Sequence, residues 1–243
     1  MTNPSAQEVV TLSKEYNLIP VVKRLLADME TPIRIFQRFA GRDRAFLLES
    51  VEGGIQWARY SFIGSDPFLM ISGKKGVINV ECDGEKKQLH GKPIEELKAL
   101  LRSYRSPKLD EMPPFTGGAI GFFGYDLLQY YEKLPAHAND DLKMDDIRFM
   151  FCDRIIVFDH VKQQILLVGN LHIKDGDTDS DIRANYEELS GKLEAMAEDL
   201  QKEGPKENVN RRSIPKDIEL GNIQSNLTKE QYIGNVEQAK EYI

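Results

Sequence analysis

The feature that most limits the folds open to this chain is a change of hydrophobic period at Arg44. The segment just before it, Thr31–Gly41, reads as a helix, and from Arg44 the period changes to two. Arg44–Ser50, Trp57–Ile63 and Phe68–Ser72 read as successive strands. Val77–Cys82 is set to pair with Lys86–Leu89 across Asp83-Gly84, which suits a tight hairpin turn. Arg148–Asp159 and Gln163–Leu171 read as one long hairpin around His160-Val161-Lys162. Strands that follow each other this closely pair antiparallel, because a parallel pair needs a long crossover. The helical segments gather between groups of strands instead of alternating with them. The expected fold is therefore α+β, with largely antiparallel sheets and helices packed between and outside. There is no internal repeat and no low-complexity tract.

Local signals place the helices. The first covers Ala6–Tyr16 and leads into an extended Leu18–Val22. Thr31 suits an N-cap and Pro32 the first helical position, with Ile33, Phe36 and Phe39 as the buried stripe and Gly41 closing it. Pro93–Arg102 turns Ile94, Leu97 and Leu101 to one side, and a charged amphipathic helix covers Asp181–Gln201. Lys202–Lys216 reads as an exposed linker. Thr228 with Gln231 forms a capping-box start. Tyr232, Val236, Ala239 and Ile243 then make an apolar stripe still running at the last residue, with no glycine or proline stop. The pattern predicts a chain cut from a longer one: residues 1–205 as the first region, 206–224 as linker, and 225–243 as the start of a further domain.

A net charge of −7 argues against nucleic acid or an anionic membrane surface as main partner. No apolar run approaches the roughly 18 residues that span a bilayer. Met1-Thr2-Asn3-Pro4-Ser5 lacks the basic and apolar regions of a secretory signal. Cys82 and Cys152 sit in strand-like runs and read as buried thiols of a reducing, cytoplasmic protein. His90, His137, His160 and His172 show no metal-ligand spacing, and His160 and His172 read as solvent-exposed at hairpin ends. Asp140-Asp141 and Asp145-Asp146 read as a solvated loop. Gly117-Gly118-Ala119-Ile120-Gly121 fits neither a P-loop nor a dinucleotide fingerprint; its glycines mark a bulge or the close approach of another backbone. No serine or cysteine stands in a nucleophile elbow. Residue chemistry thus offers no catalytic residue and no metal site.

One constellation remains. Leu47-Leu48-Glu49-Ser50 is a strand ending in a carboxylate and a hydroxyl, and Arg59-Tyr60 lies beside it in sequence. A carboxylate accepts from an ammonium and an arginine holds a carboxylate with two bonds, so the pair could grip the zwitterionic end of an amino acid. The alternative is a solvated Glu49 and a paired Arg59.

These residues also carry a resemblance. Leu47-Leu48-Glu49-Ser50, then Arg59–Gly64, then Gly117–Gly121, then Tyr125-Asp126, in that order, resemble the amino-terminal half of anthranilate synthase component I. Ser225–Thr228 and the helix after it resemble the start of that family's chorismate-using half. The resemblance implies conversion of chorismate and ammonia to anthranilate and pyruvate with Mg2+. The ammonia would come from a glutamine amidotransferase partner, component II, and L-tryptophan would act as feedback inhibitor. It implies that Ser50 lines the tryptophan pocket with Glu49 beside it. Arg59 and Tyr60 are possible pocket-lining residues that packing would explain equally. Gly117, Gly118 and Gly121 would pack against the second half. The catalytic and Mg2+ residues would lie in the missing carboxy-terminal half, leaving this chain inactive and the surface meant for that half exposed. Two other readings share the residues. One is component I of aminodeoxychorismate synthase in folate biosynthesis, against which Glu49 leans. The other is a stand-alone amino-acid-binding regulatory module; a purely structural domain would bind no amino acid at all.

Overall fold

The computed structural model describes residues 2–27, 30–39, 41–42, 44–49, 59–82, 84–134, 140, 142–202 and 225–243. They fall in two units, Met1–Pro205 and Lys206–Ile243. The first unit runs β1 (Thr2–Asn3), α1 (Ala6–Leu12), β2 (Leu18–Leu26), α2 (Pro32–Gln37), β3 (Ala45–Leu48), β4 (Tyr60–Ser65), β5 (Leu69–Lys74), β6 (Val77–Cys82) and β7 (Glu85–His90). It continues with α3 (Pro93–Ser103), β8 (Gly118–Phe123), a 3-10 turn (Tyr125–Tyr130), β9 (Ile147–Cys152), β10 (Arg154–Asp159), β11 (Gln164–His172) and α4 (Asp179–Gln201). The second unit holds α5 (Lys229–Lys240).

The strands form two antiparallel sheets, one of six in the order β1-β2-β11-β10-β4-β3 and one of five in the order β7-β6-β5-β9-β8. This is the α+β architecture expected from the period-two runs. The central strands β10 and β11 are apolar on both faces, and alternation sends their residues to two different cores. Ile156, Phe158, Ile165 and Leu167 join Ile63 beneath Val9 and Val10 of α1, Ile35 of α2 and Leu189 and Leu193 of α4. Ile155, Val157, Leu166 and Val168 face Ile120 and Met150 of the second sheet, with Phe115 beside them. The far face of the second sheet, Ile71, Ile78, Ile147 and Phe149, is covered by Leu97 of α3 and Leu127 of the 3-10 turn. The layers of this unit are therefore helices, sheet, sheet, helix. Truncating a fully buried side chain such as Leu193 to alanine would cost about 3 kcal/mol.

The sequence read Arg148–Asp159 as one strand. The chain instead leaves the second sheet at Cys152 and enters the first at Arg154, so β9 and β10 are separate strands in separate sheets. Asn170 closes the corner between them. Its main-chain N–H donates to the Asp153 carbonyl at 2.7 Å, and its Nδ2 donates to Thr116 and Asp153 carbonyls at 2.8 and 3.2 Å. A Cβ on Gly117 would stand 2.5 Å from that Nδ2. At Gly121 a Cβ would fall 1.9 Å from the Arg148 carbonyl oxygen. The close backbone approach read from these glycines is thus made, at Gly121, by β9 of its own sheet.

Smaller differences follow from length. Helix α2 has six residues; Pro32 and Ile35 are buried and Phe36 and Phe39 pack against the core as expected, but Ile33 is 57% exposed. In α3, Leu97 and Leu100 face the core and Leu101 does not. Thr31 does cap α2, accepting from the Arg34 N–H at 3.2 Å. Thr228 and Gln231 make the reciprocal capping box of α5, whose Tyr232 and Val236 find no cover among the described residues of that unit. Residues 203–224 of the expected linker lie outside the described residues.

His172 is half-buried, its ring 4.8 Å from that of Phe68, not solvent-exposed. Of the acidic residues, Asp141 lies outside the described residues, while Asp140 pairs with Lys74 at 2.7 Å and Asp146 accepts from the Tyr130 hydroxyl at 2.6 Å and the Lys75 N–H at 3.0 Å. Cys152 is buried and Cys82 half-buried; burial pushes the Cys152 thiol up to about 12. Strand β8 forms one edge of the second sheet, where Phe123, Tyr125 and Leu128 are exposed. No described helix is long and apolar enough to cross a membrane.

Candidate functional site

The candidate residues come together at one end of the six-stranded sheet. In the β3–β4 ladder Leu47 pairs with Ile63 and Leu48 with Phe62, so the next step sets Glu49 opposite Ser61. In the β4–β10 ladder Ser61 pairs with Phe158 and Tyr60 with Asp159. Alternation then assigns Glu49, Ser61 and Phe158 to the face that carries Ile63 and Ile156. Tyr60, Phe62, Val157 and Asp159 belong to the opposite face.

On the first of these faces, Ser61 Oγ lies 2.8 Å from His160 Nε2 and 3.4 Å from Glu49 Oε1. Ser61 is 2% exposed, whereas Glu49 is exposed and His160 half-buried. The His160 ring stands 4.7 Å from that of Phe158, and its main-chain N–H donates to the Arg59 carbonyl at 2.9 Å. His160 is therefore an anchored side chain rather than the exposed hairpin residue expected from sequence.

The other face is organised by Asp159, whose side chain is 2% exposed. Arg59 grips it with a fork, Nε to Oδ1 at 3.1 Å and Nη2 to Oδ2 at 2.8 Å. The N–H groups of Val161 and Lys162 each add a bond to Oδ1 at 3.1 Å. Burial pushes the Asp159 carboxyl up, but the Arg59 fork and the two N–H groups outweigh it and hold the acid below its ordinary range. The same fork raises the Arg59 guanidinium. Arg59 also lies over the Tyr60 ring, 4.8 Å from its centroid, and burial raises the Tyr60 hydroxyl.

Of the residues singled out from sequence, Arg59 and Tyr60 meet each other and Asp159, not Glu49. The Arg59 fork is filled by a carboxylate of the protein itself, so Glu49 and Arg59 do not form a joint grip. Ser50 and Trp57 lie outside the described residues. Sequence reasoning missed Ser61, Asp159 and His160. The available signal was Ser61: two positions before the buried Ile63, it puts a polar group on an apolar face. Ser61, Asp159 and Asn170 are the buried polar residues among those described, and two of them stand at this end of the sheet. Among the described residues no group of three or more His, Cys, Asp or Glu side chains could hold a metal ion.

A family model described as chorismate binding enzyme matches residues 46–243, from the strand that leads into Glu49 through α5. The chain belongs to the chorismate-binding enzyme family. Within this family it resembles proteins named anthranilate synthase component 1. It is 39% identical to the Acetivibrio thermocellus protein over 100% of the chain and 49% of that relative, and 31% identical to the Geobacillus stearothermophilus protein over 95% and 46%. A crystal structure of anthranilate synthase component I from Streptococcus pneumoniae matches at a TM-score of 0.57 and 25% identity, over 91% of this chain and 45% of that one. The chain spans about half the length of the curated relatives it matches.

Proposed function

We propose that this chain is the amino-terminal, regulatory part of an anthranilate synthase component I, and that it contributes the feedback site for L-tryptophan. The observation that carries the reading is the 39% identity that runs over the whole chain and only 49% of the Acetivibrio thermocellus protein. The parent reaction is then conversion of chorismate and ammonia to anthranilate and pyruvate. Ammonia is delivered by a glutamine amidotransferase partner, component II, in the cytoplasm. The groups that handle chorismate and Mg2+ belong to the portion of those relatives that this chain does not cover. The exposed edge at Phe123, Tyr125 and Leu128 is the kind of apolar surface that such a second half would cover.

In this reading Glu49 accepts from the tryptophan ammonium and Ser50 lines the pocket beside it. Arg59 and Tyr60 support that end of the sheet through Asp159 rather than hold the ligand. A hydrogen bond to a charged group contributes about 1.5–3 kcal/mol, enough to select an amino acid over an analogue without the charge. Tryptophan inhibits only by binding one conformation better than another, a coupling of about 1–3 kcal/mol. Held on a sheet edge, it resists the closure that turnover requires.

The test has two arms. Incubating the chain with chorismate, ammonium and Mg2+ and watching for anthranilate fluorescence is expected to show no product; turnover would overturn the assignment to a regulatory part. In parallel, L-tryptophan but not L-phenylalanine is expected to raise the melting temperature. A chain that melts identically with and without L-tryptophan would count against the feedback site.

A further inference from the structure

We infer that His160, acting through Ser61, is a positioning residue that orients the Glu49 carboxylate toward the ammonium group of an amino-acid ligand. The inference rests on the reading of Glu49 as the ligand-facing carboxylate and adds to it the groups that aim it.

The chemistry of three atoms sets the direction of the hydrogen bonds. An ionised carboxylate only accepts hydrogen bonds, and a serine hydroxyl has one proton to give. Ser61 Oγ touches both Glu49 Oε1, at 3.4 Å, and His160 Nε2, at 2.8 Å. If Ser61 gave its proton to His160, lone pairs of Oγ and Oε1 would face each other beside a buried hydroxyl. If His160 carries its proton on Nε2, Ser61 accepts it and turns its own proton to Glu49, so every group is satisfied in one direction. The Ser61–Glu49 leg is long for an O–H···O bond. That leaves Glu49 steered rather than saturated, with its second oxygen available to an incoming cation.

The frame around His160 is rigid. The ring lies against Phe158 at 4.7 Å, the main-chain N–H is tied to Arg59, and its carbonyl accepts from Gln163 Nε2 at 2.7 Å. Asp159, the preceding residue, pins the Val161 and Lys162 N–H groups and so fixes the turn that follows. The ion pair on one face of the sheet thereby braces the relay on the other.

The first test is the side-chain 1H–15N NMR spectrum of His160 in this chain, recorded above the ordinary titration range of histidine. The Nε2–H tautomer is expected, with its resonance moved by Glu49→Gln. The Nδ1–H tautomer, indifferent to Glu49→Gln, would overturn the relay. This measurement needs only the wild-type chain and a change at an exposed position, so it stands whether or not a Ser61 variant folds.

The second test titrates the chain calorimetrically with L-tryptophan and with indole-3-propionate, which has the ring and carboxylate but no ammonium. Ser61→Ala and His160→Leu are expected to weaken L-tryptophan about tenfold and to leave indole-3-propionate unchanged. His160→Gln, which keeps an N–H donor, is expected to recover most of the loss. In the Glu49→Gln background, Ser61→Ala is expected to have no further effect. Equal losses for both ligands would overturn the positioning role. An intact relay by NMR in a wild-type chain that ignores L-tryptophan would instead remove the reading of Glu49 as a ligand group.

Discussion

Asp159 and Glu49 stand at the same end of the six-stranded sheet, one closing β10 and the other just past β3, on opposite faces. Asp159 is buried and has four donors: two from Arg59 and two main-chain N–H groups. Glu49 is exposed, and its hydrogen-bond partner among the described residues is one serine hydroxyl at 3.4 Å. The difference follows from solvation. A carboxylate removed from water is tolerable only when paired and hydrogen-bonded, so the buried acid is committed to structure. Water satisfies the exposed acid until a ligand takes its place, so only that one is available for recognition.

Breaking the buried arrangement should give the largest effect. Asp159→Ala leaves the Arg59 fork and two N–H groups without their acceptor, and a loss of about 3 kcal/mol is expected in denaturant unfolding. Arg59→Lys keeps the charge but not the fork, so a smaller fall in melting temperature is expected, still clearly resolved. The contrast has a pH signature. Because the folded Asp159 carboxyl lies below its ordinary range, its stabilisation is present above the unfolded value of about 3.9. It is lost as pH falls through the lower folded value. Stability measured against pH should therefore drop on the acid side in the wild type and drop less in Asp159→Asn. Glu49→Gln should change stability by no more than about 0.5 kcal/mol while weakening L-tryptophan binding. Smallest of all, Tyr60→Phe should be nearly silent in both assays, since Tyr60 contributes its ring under Arg59.

Elements specified by neighbouring residues were legible in the sequence. The strand Val77–Cys82 and the caps at Thr31 and Thr228 stand where they were read, because turn and cap chemistry is local. The break at Asp153 was not legible. No glycine or proline marks it, and the apolar run on either side continues; what ends the strand is Asn170, a residue of β11. The candidate site divides in the same way. Glu49 was readable as a strand-end carboxylate. Its setting was not, because its partner Ser61 meets His160, 99 positions away, only through the β4–β10 register. Arg59 looked available for a ligand because its acid, Asp159, is 100 positions away in sequence.

Calorimetric titration of L-tryptophan into the wild-type chain, Glu49→Gln and Ser50→Ala tests the assignment of the two carboxylates most directly. Saturable binding by the wild type is expected, selective over L-phenylalanine, and about tenfold weaker in Glu49→Gln with an unchanged melting temperature. Binding that survives Glu49→Gln undiminished would contradict the assignment.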